Sequence, residues 1–324
     1  MNYYLYKLTF DTAVHFGPSG SAQSLHVSED HFCADTLFSA FCHTVLALRG
    51  QDGLEQLCHA VREGQFCLSD SMPWMDEMYY LPKPFASARS EQEIPADKRK
   101  TVKKLKWIPA EDYPAFIDSI RGGTSYDPEN ANAEFGVYTS MAKVRITQGE
   151  DSMPYQVGLY HFKKNTGLWF IAGCETNGIA DLLEILVKGL SYTGIGGKVS
   201  SGYGKFHVED MILLNEPFDA VTEWLYSALG NLTASRQVLL STSLPSEEEL
   251  TALVPDSEYM LTRRAGFIQS SSYAEENKKK ITQVFLSAGS VLPSRFRPVL
   301  YEVGEAGKHP VYRLSAPLFL GVEL

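Results

Sequence analysis

The sequence predicts an α+β protein of two ferredoxin-like (RRM-like) layers, with an irregular insertion and a glycine-rich loop. Three observations predict it. The chain opens on an alternating strand that leads through a short loop into an amphipathic helix. Between residues 155 and 214 the order is strand, strand, helix, strand, which folds a helix onto one face of an antiparallel sheet. The stretch between them, 70–154, is rich in proline and charge and follows neither period. The chain therefore divides into an N-terminal layer, 1–154, bearing the insertion at about 70–154, and a C-terminal layer, 155–324, carrying the glycine-rich loop.

Each element has a local reason. In residues 2–10, Tyr4, Tyr6, Leu8 and Phe10 alternate with Leu5, Lys7 and Thr9, so a strand is expected from the outset and no signal peptide is read. Gly, Ser and Pro then dominate residues 15–24, a loop. Asp35 precedes an apolar run at Leu37, Phe38, Phe41, Val45 and Leu48 and is the expected N-cap; Gly50 is the expected end. A short helix at 54–61 and a strand at 66–69 follow. Within 70–154 the recurring prolines and the charged run 91–106 predict short helices and hairpins, partly mobile. Residues 155–164 alternate, Asn165-Thr166-Gly167 makes a turn, and 168–175 is a more apolar run, so the two read as a hairpin. Ile179, Leu182, Leu183, Leu186 and Leu190 mark the inner face of a helix over 178–190. A strand at 203–214 closes the unit, and further strands are expected at 237–242, 259–269, 282–286, 297–303 and 312–322.

Composition narrows the function. The five cysteines, an odd number, argue for reduced thiols and a cytoplasmic protein. No apolar run is long enough to span a bilayer. The net charge of −10 is unevenly spread. Residues 1–97 hold 5 Lys/Arg against 13 Asp/Glu, a net of −8, whereas 98–106 hold six basic residues and no acidic one. Residues 258–324 hold 9 Lys/Arg against 6 Asp/Glu, a net of +3. Phosphate binding needs a local basic surface, so the overall sign excludes nothing. The acidic portion repels RNA and is expected to face a protein.

The most informative segment is 194–205, GIGGKVSSGYGK. It sets Gly194, Gly196, Gly197, Gly202 and Gly204 among Lys198, Ser200, Ser201, Tyr203 and Lys205. Glycines admit positive φ and let backbone N–H groups converge on an anion. The serines add hydroxyl donors and the lysines add charge. The spacing is not that of a nucleotide P-loop. Nor is it a dinucleotide fingerprint, whose third glycine would fall at Val199. The loop also follows a helix and precedes a strand, the reverse of both. A tight turn without a ligand is the plain alternative.

This loop resembles the glycine-rich signature of the RAMP superfamily of CRISPR-associated proteins. HFGPSG with ADTLFSAF, and RRAGFIQSS with KKKITQVFLSAGSVL at 263–292, are similar to the fourth-subunit branch of type III-A (Csm) effector complexes. The resemblance covers most of the chain and matches 70–154 loosely. It implies a ferredoxin-like fold, a glycine loop on the guide-RNA backbone, and a role as the foot of the complex. The expected partners are the 5′ tag of the crRNA, the large polymerase-like subunit and the first backbone subunit. It implies neither a cofactor nor nuclease activity.

Related RAMP proteins that process precursor crRNA often use a histidine near the first strand. His15, beside Gly17, sits there. A metal-independent endoribonuclease is therefore the main alternative, because 2′-OH attack needs an acid or base near pH 7. Binding of phosphate, or stacking on a base, is the reading preferred for His15. His31, Cys33, Cys42, His43, Cys58 and His59 fall close in sequence, but no C-x-x-C occurs and no metal site is expected. Lys98, Arg99 and Lys100 head the basic run that ends at Trp107, which suits a single-stranded backbone with one stacked base. A solvated helix face accounts for the run equally well. Arg263 and Arg264 are expected to grip phosphate, with an ion pair to the acidic N-terminal portion as the competing account.

Overall fold

The computed structural model describes residues 1–18, 25–86, 96–128, 131–145, 153–305 and 307–324; the side chains of 96–99 and 145 lie outside that description. The chain is α+β, as its pattern predicts. β1 (Asn2–Phe10) leads to α1 (Ala34–Arg62), then β2 (Phe66–Leu68), β3 (Met72–Met75) and β4 (Met78–Pro82). α2 (Ala96–Lys104), β5 (Trp107–Pro109), α3 (Tyr113–Arg121) and β6 (Gly136–Arg145) make up most of the insertion. β7 (Met153–Phe162), β8 (Thr166–Cys174), α4 (Asn177–Thr193) and β9 (Phe206–Leu213) follow.

β1 is the organising strand. It pairs antiparallel with β8 on one side and β9 on the other. The sheet order is β5-β4-β3-β8-β1-β9, with β2 also on β8. Leaving aside β4 and β5, this is the order of one ferredoxin-like unit: β1, α1, β2–β3, β8, α4, β9. The expected division at residue 154 therefore does not follow the sheet. β1 of the first half lies between two strands of the second, and the region between β3 and β8 is an excursion from a single layer. Hydrophobic period marks a strand but does not say which distant strand it pairs with.

The expected 155–175 hairpin is also rearranged. A turn does join β7 to β8, with Asn165 at φ 57°. Yet β7 pairs along ten positions with β6, from Gly136↔Phe162 to Arg145↔Met153. All nine residues of β8 are buried, so β8 requires neighbours on both edges and takes β1, β2 and β3. β7 is half exposed and takes β6 as its one partner strand, with a bridge from Tyr160 to Val14 on its other edge.

α1 is two helices in succession, as expected: the first ends at Gly50, whose φ 66° and ψ −156° are not helical, and the second follows directly. The N-cap of α1 is Cys33 without a side-chain cap bond, so Asp35 is not the cap. Asp35 is buried in the first turn instead. α4 is capped by Thr176, whose hydroxyl accepts from the Ile179 N–H. Its apolar face, Ile179 to Leu190, is buried as the spacing predicts.

The C-terminal part holds α5 (Ala220–Gly230), β10 (Arg236–Leu239), α6 (Glu247–Leu253), β11 (Leu261–Arg264), β12 (Gln283–Leu286), β13 (Val291–Leu292), β14 (Val299–Glu302), β15 (Tyr312–Ser315) and β16 (Phe319–Val322). β10 lies between β13 and β16, while β11–β12 and β14–β15 form separate pairs. α1 packs against β14 and β15, which joins this part to the first layer. One apolar core runs from Leu5 and Phe38 through to Leu314 and Leu320. Among the described residues, no helix is long and apolar enough to cross a membrane.

Candidate nucleic-acid interface

The glycine loop is laced to the segment that follows β1. The Gly197 N–H donates to the His15 carbonyl at 2.8 Å, and the Gly204 N–H to the Ala13 carbonyl at 2.9 Å. The Lys205 N–H donates to Thr12 Oγ1 at 3.0 Å. Gly196 takes φ 102°, and a Cβ there would stand 2.8 Å from the His15 carbonyl oxygen. Gly197 lacks a positive φ but is no less restricted. Its Cβ would stand 2.6 Å from Cδ2 of His15.

The loop then turns at Lys198, a non-glycine residue at φ 62° and ψ 23°, into a single 3-10 turn over Val199–Ser201. A left-handed residue followed by right-handed ones points consecutive N–H groups to one side, the backbone form of an anion nest. Among the described residues, no backbone carbonyl accepts from the N–H groups of Lys198, Val199 or Ser200. These three residues line a groove of about 1480 Å³. That exceeds the roughly 300–1,000 Å³ of typical small-molecule sites.

The groove is lined by the glycine loop, His15 and Gly17, by α1 from Asp35 to Leu48, by β11 and by Lys280. Its described lining includes seven Lys/Arg (83, 103, 106, 198, 264, 280 and 313) against three Asp/Glu (29, 35 and 70), a surplus of four. A chain of net charge −10 thus builds one basic groove.

The structure sorts the expected site residues. Gly194, Gly196, Gly197, Lys198 and Ser200 line the groove with His15 and Gly17, whereas Ser201, Gly202, Tyr203, Gly204 and Lys205 do not. Ser201 and Gly202 are exposed. The Tyr203 hydroxyl meets Met141 Sδ at 3.1 Å, and its ring lies 4.5 Å from the Lys143 ammonium. The ammonium of Lys205 donates to the Tyr192 carbonyl near the end of α4, where a cation opposes the helix dipole.

His15 is buried, and its Nδ1 donates to the Gly158 carbonyl at 2.7 Å. Burial holds its pKa below the ordinary histidine value, with the Gly158 bond opposing and Lys198 adding. A neutral ring that donates through Nδ1 offers Nε2 as an acceptor. A neutral imidazole so placed can accept from a hydroxyl or an amine.

Arg264 is not a free phosphate clamp. Its Nε donates to Asp35 Oδ2 at 3.0 Å, and its Nη2 donates to Asp35 Oδ1 and, at 3.0 Å, to Thr36 Oγ1. The competing ion-pair account holds, and Arg263 is exposed outside the groove. The side chains of Lys98 and Arg99 lie outside the described residues; Lys100 is exposed and also outside the groove. Lys103 and Lys106, later in the same run, do line it. Lys106 donates to Asp30 at 2.7 Å. Trp107 is 7% exposed, so it is a core residue and not a stacking platform.

A metal fares poorly here. Burial pushes the Cys33 thiol up to about 12 and the Cys58 thiol to about 11, disfavouring the thiolate a metal needs. Among the described residues, Glu29, Asp30 and His31 are the one cluster with ligand atoms mutually within 4.8 Å. The Lys106 ammonium already occupies its cation position.

Residues 232–322 match the family model described as the CRISPR Csm4 C-terminal domain. Over its length the chain is similar to a Mycobacterium tuberculosis protein named CRISPR system Cms protein Csm4, 34% identical over 328 residues, 99% of this chain and 98% of that one. A Streptococcus thermophilus protein of the same name is 29% identical over 332 residues, covering 100% of both. In the crystal structure of a Csm3-Csm4 subcomplex of the type III-A CRISPR-Cas interference complex, one chain aligns with TM-score 0.66 and 16% identity over 100% of both chains. In a Csm1-Csm4 cassette in complex with pppApA, the values are 0.57 and 19%, over 100% of this chain and 99% of that one. At these identities the structural likeness establishes the α+β fold.

Proposed function

The chain belongs to the Csm4 family of type III CRISPR effector subunits, and from that premise we propose that it holds the 5′ repeat-derived tag of the crRNA without cleaving it. The observation that carries this reading is the unpaired nest at Lys198–Val199–Ser200, opening onto a groove with four surplus positive charges. The nest and lysines take backbone phosphates, and the groove volume of about 1480 Å³ exceeds that of a small-molecule site. His15 contributes an acceptor at Nε2 for a ribose hydroxyl or a base amine. On this reading the protein is a structural subunit and needs no cofactor.

Relatives of this chain occur in structures with Csm3 and with Csm1. We place a backbone subunit and the large subunit against this chain on that ground. The acidic surface of residues 1–97, which repels RNA, is the region assigned to them.

The test is incubation of purified protein with labelled repeat RNA without added metal. Retention of intact RNA, abolished by Gly196→Val with Gly197→Val, is the expected result. Cleavage at one site, lost in His15→Ala, would establish the endoribonuclease instead.

A further inference from the structure

The floor of the groove beneath α1 carries more positive charge than the protein itself neutralises. Asp35 takes Arg264 as a two-point partner and Arg313 as a second cation, with Arg313 Nε at 3.6 Å from Asp35 Oδ2. Both arginines are buried, at 9% and 3% exposure. The Arg313 fork is also held by the Ile281 carbonyl and Gln283 Oε1, each at 3.0 Å. One carboxylate thus serves two guanidiniums.

Lys280 stands next to this cluster and lines the same groove. Its backbone is fixed, with the N–H donating to the Gly266 carbonyl at 2.8 Å. Among the described residues, its ammonium has no carboxylate within ion-pair distance and no hydrogen-bond acceptor. Burial pushes that ammonium below the ordinary lysine range, with Asp35 opposing and Arg313 and Arg264 adding.

Asp70 does not restore the balance. Its carboxyl faces Ala34 and Thr242, accepting from both N–H groups and from the Thr242 hydroxyl. Burial also favours its protonated form. Even ionised, it would leave three cations against two carboxylates.

Lys280 is half-buried, so its unpartnered ammonium stays open to the groove, where an external anion can complete the cluster. We propose that Lys280, backed by the Asp35–Arg264–Arg313 cluster, is a phosphate subsite of the groove distinct from the glycine loop, taking a backbone phosphate of the bound RNA. The inference rests on the RNA-holding reading above and deepens it: the strand is gripped at two separate points. The two arginines are spent on Asp35 and position the floor. Lys280 alone makes the contact.

Lys280→Met keeps the stem and removes the charge. The first measurement is the salt dependence of tag-RNA affinity, where one lost phosphate contact flattens the log–log slope by about 0.7. The second is the melting temperature of the free protein. The expected result is a slope flatter by about 0.7, an unchanged or raised melting temperature, and rescue of the slope by Lys280→Arg. An unchanged slope overturns the subsite. So does a flattened slope accompanied by a fall in melting temperature, since that marks a structural lysine.

If the wild-type protein fails to retain tag RNA at all, the RNA-holding reading is what fails. Inorganic phosphate then judges the subsite separately. It should raise the melting temperature of the wild type more than that of Lys280→Met, and equal shifts would overturn the site.

Discussion

Gly197 and His15 press against each other across the mouth of the groove, and each yields a distinct prediction. A side chain at Gly197 must displace the His15 ring, since its Cβ would stand 2.6 Å from Cδ2. Gly197→Val should therefore lower tag-RNA affinity by at least about tenfold, or 1.4 kcal/mol, while the circular dichroism spectrum stays that of the wild type. Equal affinity in the folded variant contradicts the loop assignment. His15 is held below its ordinary pKa of 6.5 by burial. The unfolded chain thus binds a proton that the fold does not. The contribution of His15 to stability is complete above about pH 6.5 and is lost as pH falls toward the folded value. Melting curves from pH 7 to pH 5 should fall more steeply for the wild type than for His15→Gln, and parallel curves would refute the buried neutral ring. The sequence pointed to both residues, because glycine clusters and a histidine after a strand are local features. It could not show that the ring is buried, since that depends on Gly158, 143 positions away.

Elements were legible in proportion to how local their causes are. β1 and α4 matched because alternation and helical spacing lie within each segment. β7 and β8 were identified as strands, but their partners were not, because pairing is decided by which edges the finished sheet leaves open. The start of α1 shows the same limit. Asp35 has the residue type and place of a cap, yet its carboxylate goes to Arg264 from β11, 229 positions away. That pair ties α1 to the C-terminal part and is nearly dry. Arg264→Ala should cost about 3 kcal/mol, because it removes the two-point partner of a buried carboxylate and leaves only Arg313, at 3.6 Å. Arg263→Ala, exposed on the same strand, should stay within about 0.5 kcal/mol. Urea midpoints of the two variants test this. Equal losses would show that the ion pair does not join the two parts.

At the scale of the whole molecule, an acidic chain concentrates its positive charge in one groove. The basic run at 98–106 was legible, but which of its lysines turn inward was not. Lys103 and Lys106 reach the lining and Lys100 does not, Lys103 from the last turn of α2 and Lys106 from beyond its end. Lys280 ends the KKK run 278–280, and only the fold brings it to the groove. The central claim is that this groove holds RNA by its phosphates. The most direct test is the salt dependence of tag-RNA affinity for the wild type against the triple variant Lys103→Gln, Lys106→Gln, Lys198→Gln. If all three touch phosphate, the log–log slope should flatten by about two units, at about 0.7 for each single-strand contact. A triple variant that binds with the wild-type slope would contradict the account, because the RNA would then lie outside the groove.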